Sequence, residues 1–261
     1  MQSRPVHDYG SEYANYVFNR DRFLLRQKAL SINTKYYVWD EQGHPLLFVE
    51  RPAYLALQFA ALGAGVLAGF AAFFLFILPS ILLDVPLLFV IGALLGGFAS
   101  YIALHVVVML IMPRRHVTIF SDDTKQFPVL HIEQDSKFYF PIATYTVRDV
   151  QGRPLARLRK NYLYNLLRKR WEIRNPQGEL LCLAKEDSIL LGLIRRFITK
   201  LLVTNFIILT ADRNEVKLGE FNRKYTLLDR YVLDMTPDWQ RQLDRRIALA
   251  LGIMLDTGEG R

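Results

Sequence analysis

Charge is missing from two long stretches of this chain. Ala53 to Leu83 holds no Asp, Glu, Lys or Arg, and after Asp84 the run Val85 to Met112 holds none either. About 20 apolar residues suffice to cross a bilayer as a helix, and each run is longer than that. Two core helices of a soluble protein would need a far larger domain to cover them, whereas two membrane spans need only lipid. Cysteine is also scarce. A lone Cys182 excludes an intramolecular disulfide framework and a cysteine-rich metal site, and it agrees with a reducing cytoplasm. Five scattered His residues show no metal-ligand spacing. There is no P-loop, no Gly-rich dinucleotide turn and no nucleophile elbow. The first fifty residues lack the basic-then-apolar start of an export signal. They are polar, charged and aromatic instead, with Tyr9, Tyr13, Tyr16 and Phe18.

The flanks of the apolar runs predict an orientation. Glu50 and Arg51 precede the first, and Arg114, Arg115 and His116 follow the second. The intervening turn, Leu78 to Pro86, carries no Lys or Arg. The positive-inside rule therefore predicts a multi-pass membrane protein with two spans, both termini cytoplasmic and the turn outside.

Small residues recur inside the runs. Gly65 and Gly69 are four apart, as are Gly92 and Gly96, with Ala60, Ala61, Ala64 and Ala68 beside the first pair. That spacing gives a helix face on which backbones approach closely. The face serves either a homodimer or packing of the two helices within one chain, and a two-helix hairpin favours the second. His105 is an ionisable group inside the second run, but no acidic partner accompanies it.

Outside the runs, about two hundred residues carry the net charge of +8, a length that fits one domain. They contain an internal repeat. Tyr36 to Leu46 is echoed by Tyr145 to Leu155, again by Trp171 to Leu181, and in degenerate form by Phe206 to Val216. Each copy has an aromatic, alternating apolar residues, an Asx or Thr, a turn pair and an apolar return. Alternation predicts a half-buried strand, and Asx with Gly predicts the turn. The unit is a β-hairpin. Val117 to Phe120 and Val129 to Ile132 suggest another around Ser121, Asp122 and Asp123. So many short strands predict a mainly antiparallel β-barrel or sandwich. The recurring Asp40, Asp149 and Asn175 are explained by those turns, and no nucleophile stands beside a base. A non-enzymatic protein without cofactor or metal is expected.

The C-terminus departs from the β pattern. Thr236 as N-cap and Pro237 at the first helical position predict a helix carrying Arg241, Asp244, Arg245 and Arg246. Ile247 to Leu255 is apolar on every face, which demands burial or a membrane. Nine residues reach only about 13 Å, too short to cross lipid. The segment is expected to be sheathed by the sheet, ending at Asp256 to Gly260.

Two basic segments suggest a partner. Residues 153–171 combine Arg157, Arg159, Lys160, Arg168, Lys169 and Arg170 with Tyr162, Tyr164 and Trp171. Cations reach phosphates while rings sit at headgroup depth, so an anionic phospholipid surface is the expected partner. In residues 188–203, Gly192, Arg195, Arg196, Thr199 and Lys200 form one polar stripe opposite Ile189, Leu193, Ile194, Phe197, Ile198 and Leu201. That reads as a basic amphipathic helix lying in the cytoplasmic interface, or as a plug at one end of the barrel. Charge alone would also allow nucleic acid, but membrane tethering argues against it.

A β-barrel with a hydrophobic C-terminal helix resembles the tubby-like superfamily, which includes the phospholipid scramblases and LURP-one-related proteins. Phe23 to Lys28 looks like the scramblase domain's opening strand, and Tyr36 to Glu50 like its first hairpin. Gly219 to Phe221, Leu243, Asp244 and Ala248 to Asp256 look like its last strands and central helix. The resemblance covers most of residues 20–260 outside the apolar runs. Together with the apolar runs it gives domains at 23–52 with 113–261 (barrel), 53–112 (inserted transmembrane hairpin) and 1–22 (polar, aromatic segment). The inserted hairpin is not the common family arrangement and would replace lipid anchoring by permanent insertion. It also implies lipid binding or lipid movement. The family's Pro-rich start and acylated cysteines are absent here. Its calcium segment would fall at Asp212 to Glu215, where Arg213 intrudes, so calcium dependence is not expected. The alternative expectation is a scaffold or accessory subunit of a larger membrane complex, held through the small-residue faces and the barrel.

Overall fold

The computed structural model describes residues 13–27, 34–83, 85–138, 140–166, 168–187, 205–224 and 230–257. The chain divides into two compact units, Met1–Pro52 with Arg115–Arg261, and Ala53–Arg114.

The first unit contains a closed antiparallel barrel of twelve strands. They are β1 (Arg22–Gln27), β2 (Thr34–Trp39), β3 (Pro45–Arg51), β4 (His116–Phe120), β5 (Pro128–Gln134), β6 (Ile142–Asp149), β7 (Pro154–Asn161), β8 (Arg170–Arg174), β9 (Leu180–Glu186), β10 (Phe206–Thr210), β11 (Lys217–Lys224) and β12 (Arg230–Asp234). Each strand pairs with its sequence neighbours, and β1 pairs with β12 to close the sheet. Closure leaves no unpaired strand edge. The period-2 pattern is visible in β8, where Trp171 and Ile173 are buried between half-buried Arg170, Glu172 and Arg174.

The four repeat copies are the hairpins β2–β3, β6–β7, β8–β9 and β10–β11. In the first three, the Asx side chain accepts a backbone N–H four residues on. Asp40 takes His44 at 2.7 Å, Asp149 takes Arg153 at 2.9 Å and Asn175 takes Glu179 at 2.8 Å. Gly43, Gly152 and Gly178 then adopt φ of 86°, 77° and 96°, a region open to residues without a Cβ. The same asparagine and aspartates that could suggest chemistry are therefore turn builders.

Strand directions make the two barrel ends unlike. The tight turns of β2–β3, β4–β5, β6–β7, β8–β9 and β10–β11 all fall at one end, here the turn end. The connections β5–β6, β7–β8 and β9–β10 fall at the opposite, loop end. β3 ends and β4 begins at the loop end as well, with Glu50 opposite Thr118.

Past β12, the chain forms the helix α3 at its C-terminus, Arg245–Thr257; numbering helices in chain order, α1 and α2 lie in the second unit. Every residue from Ile247 to Leu255 is buried, and all but Gly252 share one apolar cluster with strand residues Phe23, Val38, Ile119, Leu158, Ile208 and Leu233. Gly252 is a close-packing point, since an added Cβ would lie 3.1 Å from the Phe221 ring. The helix starts later than Thr236 and Pro237 suggest. Asp238 accepts from the backbone N–H groups of Gln242 (2.8 Å) and Leu243 (3.0 Å), and Arg241 sits at φ 55°, so this stretch is a turn. Asp244 supplies the N-cap: its carboxylate takes the Arg246 N–H at 2.9 Å and its carbonyl takes that of Ala248 at 3.0 Å.

The second unit is a pair of helices, α1 (Leu55–Leu83) and α2 (Pro86–Ile111), which follow β3 and precede β4 in the chain. Both are long and apolar enough to cross a membrane. At 1.5 Å per residue they measure about 43 and 39 Å. The expected turn from Leu78 to Pro86 is shorter in the structure, because α1 continues through Pro79 to Leu83. Proline removes only one helical N–H, a cost the helix tolerates here, and beside it the Ser80 hydroxyl donates to the Ile77 carbonyl at 2.6 Å. Most outward side chains are exposed, including Phe59, Leu67, Leu75, Leu82, Leu87, Leu94 and Phe98. These are not the core helices of this chain.

Candidate lipid interface

Within the helix pair, Gly65, Gly69, Gly92 and Gly96 all face the other helix. A Cβ on Gly65 would meet the Leu104 carbonyl at 3.0 Å, and one on Gly69 the Ser100 hydroxyl at 2.9 Å. On the other helix, Gly92 and Gly96 lie against the carbonyls of Phe76 (2.8 Å) and Phe73 (2.9 Å). The small-residue face is thus occupied inside one chain. Gly63 and Gly97 have nothing within 4 Å of such a Cβ, so they mark open positions. Ser80 and Ser100 approach these glycines, and they line the contact between the helices rather than an outer surface. His105 satisfies its Nδ1 on its own helix, 2.8 Å from the Tyr101 carbonyl, with the two rings 4.1 Å apart. This local bond gives the imidazole a place on its own helix without an ion or proton pathway.

The basic residues of the first segment separate into three environments. Arg157 is exposed on the outer wall of β7. Arg159, two residues on, lies on the same outer face but is half-buried and pairs with Glu172 at 3.0 Å. Arg174 donates to the same carboxylate at 2.9 Å, and Arg170 lies 3.9 Å from its other oxygen. Burial raises the Glu172 pKa, but the bonds from Arg174 and Arg159 outweigh it and hold the carboxyl below its ordinary value. Lys160 alternates inward and is buried, its Nζ 4.7 Å from the Tyr162 ring centre and 5.5 Å from that of Trp171. Trp171 itself is fully buried in the core. Lys160 and Trp171 therefore drop out of any external lipid surface: the strand period, and not their composition, decides which way they point. Arg168 and Lys169 belong to the β7–β8 loop at the loop end. Arg195, Arg196 and Lys200 lie outside the described residues.

That loop end carries a feature the charge pattern did not reveal. Phe138 and Phe140 in the β5–β6 loop are 59% and 63% exposed, and Leu163 and Tyr164 in the β7–β8 loop are 52% and 68% exposed. The two loops are tied together, since the Tyr162 N–H donates to the Pro141 carbonyl at 2.9 Å. The Arg168 guanidinium fastens the second loop to β9 through the Glu186 carbonyl, at 2.8 and 2.5 Å. Asn165 braces it further by accepting the Arg170 N–H at 2.8 Å. Bonded loops thus hold large apolar side chains in solvent. Two phenylalanines in a short, charged loop were the only sequence signal, and no periodicity marks them.

The remaining places for chemistry are modest. A cleft of about 420 Å³ at the turn end is lined by Tyr37, Trp39, Phe48, Asp122 and Asp123 among others, with the Tyr37 hydroxyl donating to Asp123 at 3.2 Å. At the resembled calcium segment, Asp212 accepts from the Thr210 hydroxyl within the β10–β11 turn, and Glu215 pairs with Lys185 of β9, so both carboxylates already have partners. Among the described residues, no group of His, Cys, Asp and Glu is arranged to hold a metal ion. Cys182 is buried, and burial foremost, then Asp238, pushes its thiol pKa up to about 12. Comparison with protein-family models, curated proteins and solved structures finds no match, so the geometry alone carries the functional reading.

Proposed function

We propose that this chain is an integral membrane protein that binds phospholipids through its barrel and moves them in the manner of a scramblase. The single observation that carries the proposal is the pair of uncharged helices with exposed apolar faces, set in the chain between paired strands β3 and β4. Such faces are stable in hydrocarbon and costly in water, at about 25 cal/mol per Å². Two spans return the chain to the side it left, so the barrel stays intact beside the bilayer. Basic flanks favour the cytoplasm for that side.

The architecture we read is tubby-like: a barrel closed around its C-terminal helix. Contacts at both helix ends support this. Arg245 bonds Asp21, just before β1, while the carboxylate of Asp256 accepts from the hydroxyls of Tyr36 and Tyr231, near the opposite ends of β2 and β12. One hairpin offers headgroups no continuous polar stripe: its serines face inward, and its exposed polar side chains are Gln58 on one helix and Tyr101 and His105 on the other. Lipid movement would therefore need several copies or a thinned bilayer. The open Gly63 and Gly97 favour the second reading, a scaffold subunit of a membrane complex. The test is lipid flipping by the purified protein in proteoliposomes, followed with a headgroup-labelled lipid and an impermeant quencher. Accelerated flipping, equal with and without calcium, is expected. Flipping no faster than in protein-free vesicles would remove the scramblase function and leave the scaffold.

A further inference from the structure

We infer that the loop end of the barrel is a membrane-docking surface, with Phe138, Phe140, Leu163 and Tyr164 seated in the headgroup region of the bilayer. The inference rests on the membrane reading above and names the surface through which the barrel meets lipid.

Three observations converge on it. First, these four side chains are exposed although their loops are cross-braced by Tyr162 to Pro141 and Arg168 to Glu186. A bonded frame that presents Phe, Phe, Leu and Tyr outward leaves apolar area uncovered, and such patches mark interaction sites. Second, the same loops carry Lys137 and Lys169, the latter next to the bracing Arg168. Aromatic rings beside cations match the chemistry of an anionic interface, where rings lie at headgroup depth and ammonium or guanidinium groups meet phosphate. Third, strand polarity places β3's exit and β4's entry at this end, so the chain leaves for the apolar helices and returns from them here. That continuity selects lipid over a protein partner as the occupant. The turn end also has exposed apolar side chains, Tyr16 before β1, Val216 in the β10–β11 turn and Trp239 on the connection to α3, but they stand on three separate segments, and its hairpins mix Asp, Asn and Gln with His44, Lys125, Arg153 and Arg213.

The experiment uses the full chain in proteoliposomes containing anionic phospholipid. Buried Cys182 stays silent, so a single added cysteine carries an environment-sensitive fluorophore. Phe138→Cys, Phe140→Cys, Leu163→Cys and Tyr164→Cys report the loop end, Trp239→Cys the turn end, and Phe70→Cys the first apolar helix. Quenchers are attached to lipid at shallow or deep positions, or dissolved as iodide. The expected result is several-fold stronger quenching by the shallow lipid quencher at the four loop positions than at Trp239→Cys, with the reverse order for iodide. Deep quenching at Phe70→Cys together with loop labels as open to iodide as Trp239→Cys would overturn the docking surface and leave the membrane reading standing. Absence of lipid quenching at Phe70→Cys would overturn both.

Discussion

Arg245 shows how one residue can hold a junction. Its side chain is 3% exposed, and its guanidinium donates to Asp21 (2.8 and 2.9 Å), Asp238 (2.7 Å) and the carbonyls of Leu243 and Asp238 (both 2.8 Å). The Asp238 side chain is wholly buried. Removing one member of a buried pair leaves the other charge uncompensated, at a cost of about 3–5 kcal/mol. Arg245→Met should therefore lower stability by that order, measured by denaturant unfolding in detergent, whereas Arg157→Met on the exposed wall should be near neutral. A second residue links stability to pH. Burial lowers the His131 pKa below its ordinary value, and Glu133 offsets only part of this. The folded state then favours neutral imidazole, so its contribution is present above about pH 6.5 and is lost as pH falls through the depressed value. Stability measured from pH 7 down to pH 5 should fall less steeply for His131→Gln than for the parent; equal slopes would remove His131 as the cause.

At the scale of elements, the apolar helices and the C-terminal helix make opposite demands. Leu251 is fully buried in α3, inside the cluster that includes the strand residues. Leu251→Asp places a carboxylate where nothing solvates it, at several kcal/mol, and should abolish the protease resistance of the barrel. Wild-type resistance in this variant would exclude a central buried helix. In the hairpin, Gly96→Leu must push against the Phe73 backbone, while Gly97→Leu meets open space. Overpacking costs about 1–3 kcal/mol, so Gly96→Leu should lower the melting temperature in detergent and Gly97→Leu should not. A dimer lost in Gly97→Leu alone would reveal a partner on the outer face. Much at this scale was legible in sequence. The repeat Asx-x-x-Gly marked three hairpins because Gly takes the positive φ of that turn freely, whereas the same turn at Asp122–Lys125 and Asp212–Glu215 uses a residue with a Cβ and left no such mark. The helix α3 starts later than Thr236-Pro237 suggests because Asp238 binds the amides of Gln242 and Leu243 in a local turn, which the buried Arg245 then fastens to Asp238 and the distant Asp21. The inward aim of Lys160 was hidden for a similar reason: a run of Lys and Arg looks uniform until strand alternation divides it.

For the molecule as a whole, the sequence disclosed two long uncharged runs and a set of strands, but not the unlike ends of the barrel. Which loops share an end depends on the up-and-down order of twelve strands, a property of the closed sheet. That order gathers Phe138, Phe140, Leu163 and Tyr164 from loops more than twenty residues apart. The central claim is that one hairpin holds this barrel in a bilayer with the barrel in the cytoplasm. Cysteine labelling in intact cells tests it most directly. Ser80 is a poor probe site because it is buried against the other helix, and silence at Cys182 is uninformative because the thiol is buried. Val85→Cys, between α1 and α2, and Gln177→Cys, in the exposed β8–β9 turn, avoid both problems. An impermeant maleimide should label Val85→Cys in intact cells and Gln177→Cys only after the membrane is opened. Labelling of Gln177→Cys from outside, or protection of Val85→Cys until permeabilisation, would contradict the orientation; extraction of the protein by alkaline carbonate would contradict the spans themselves.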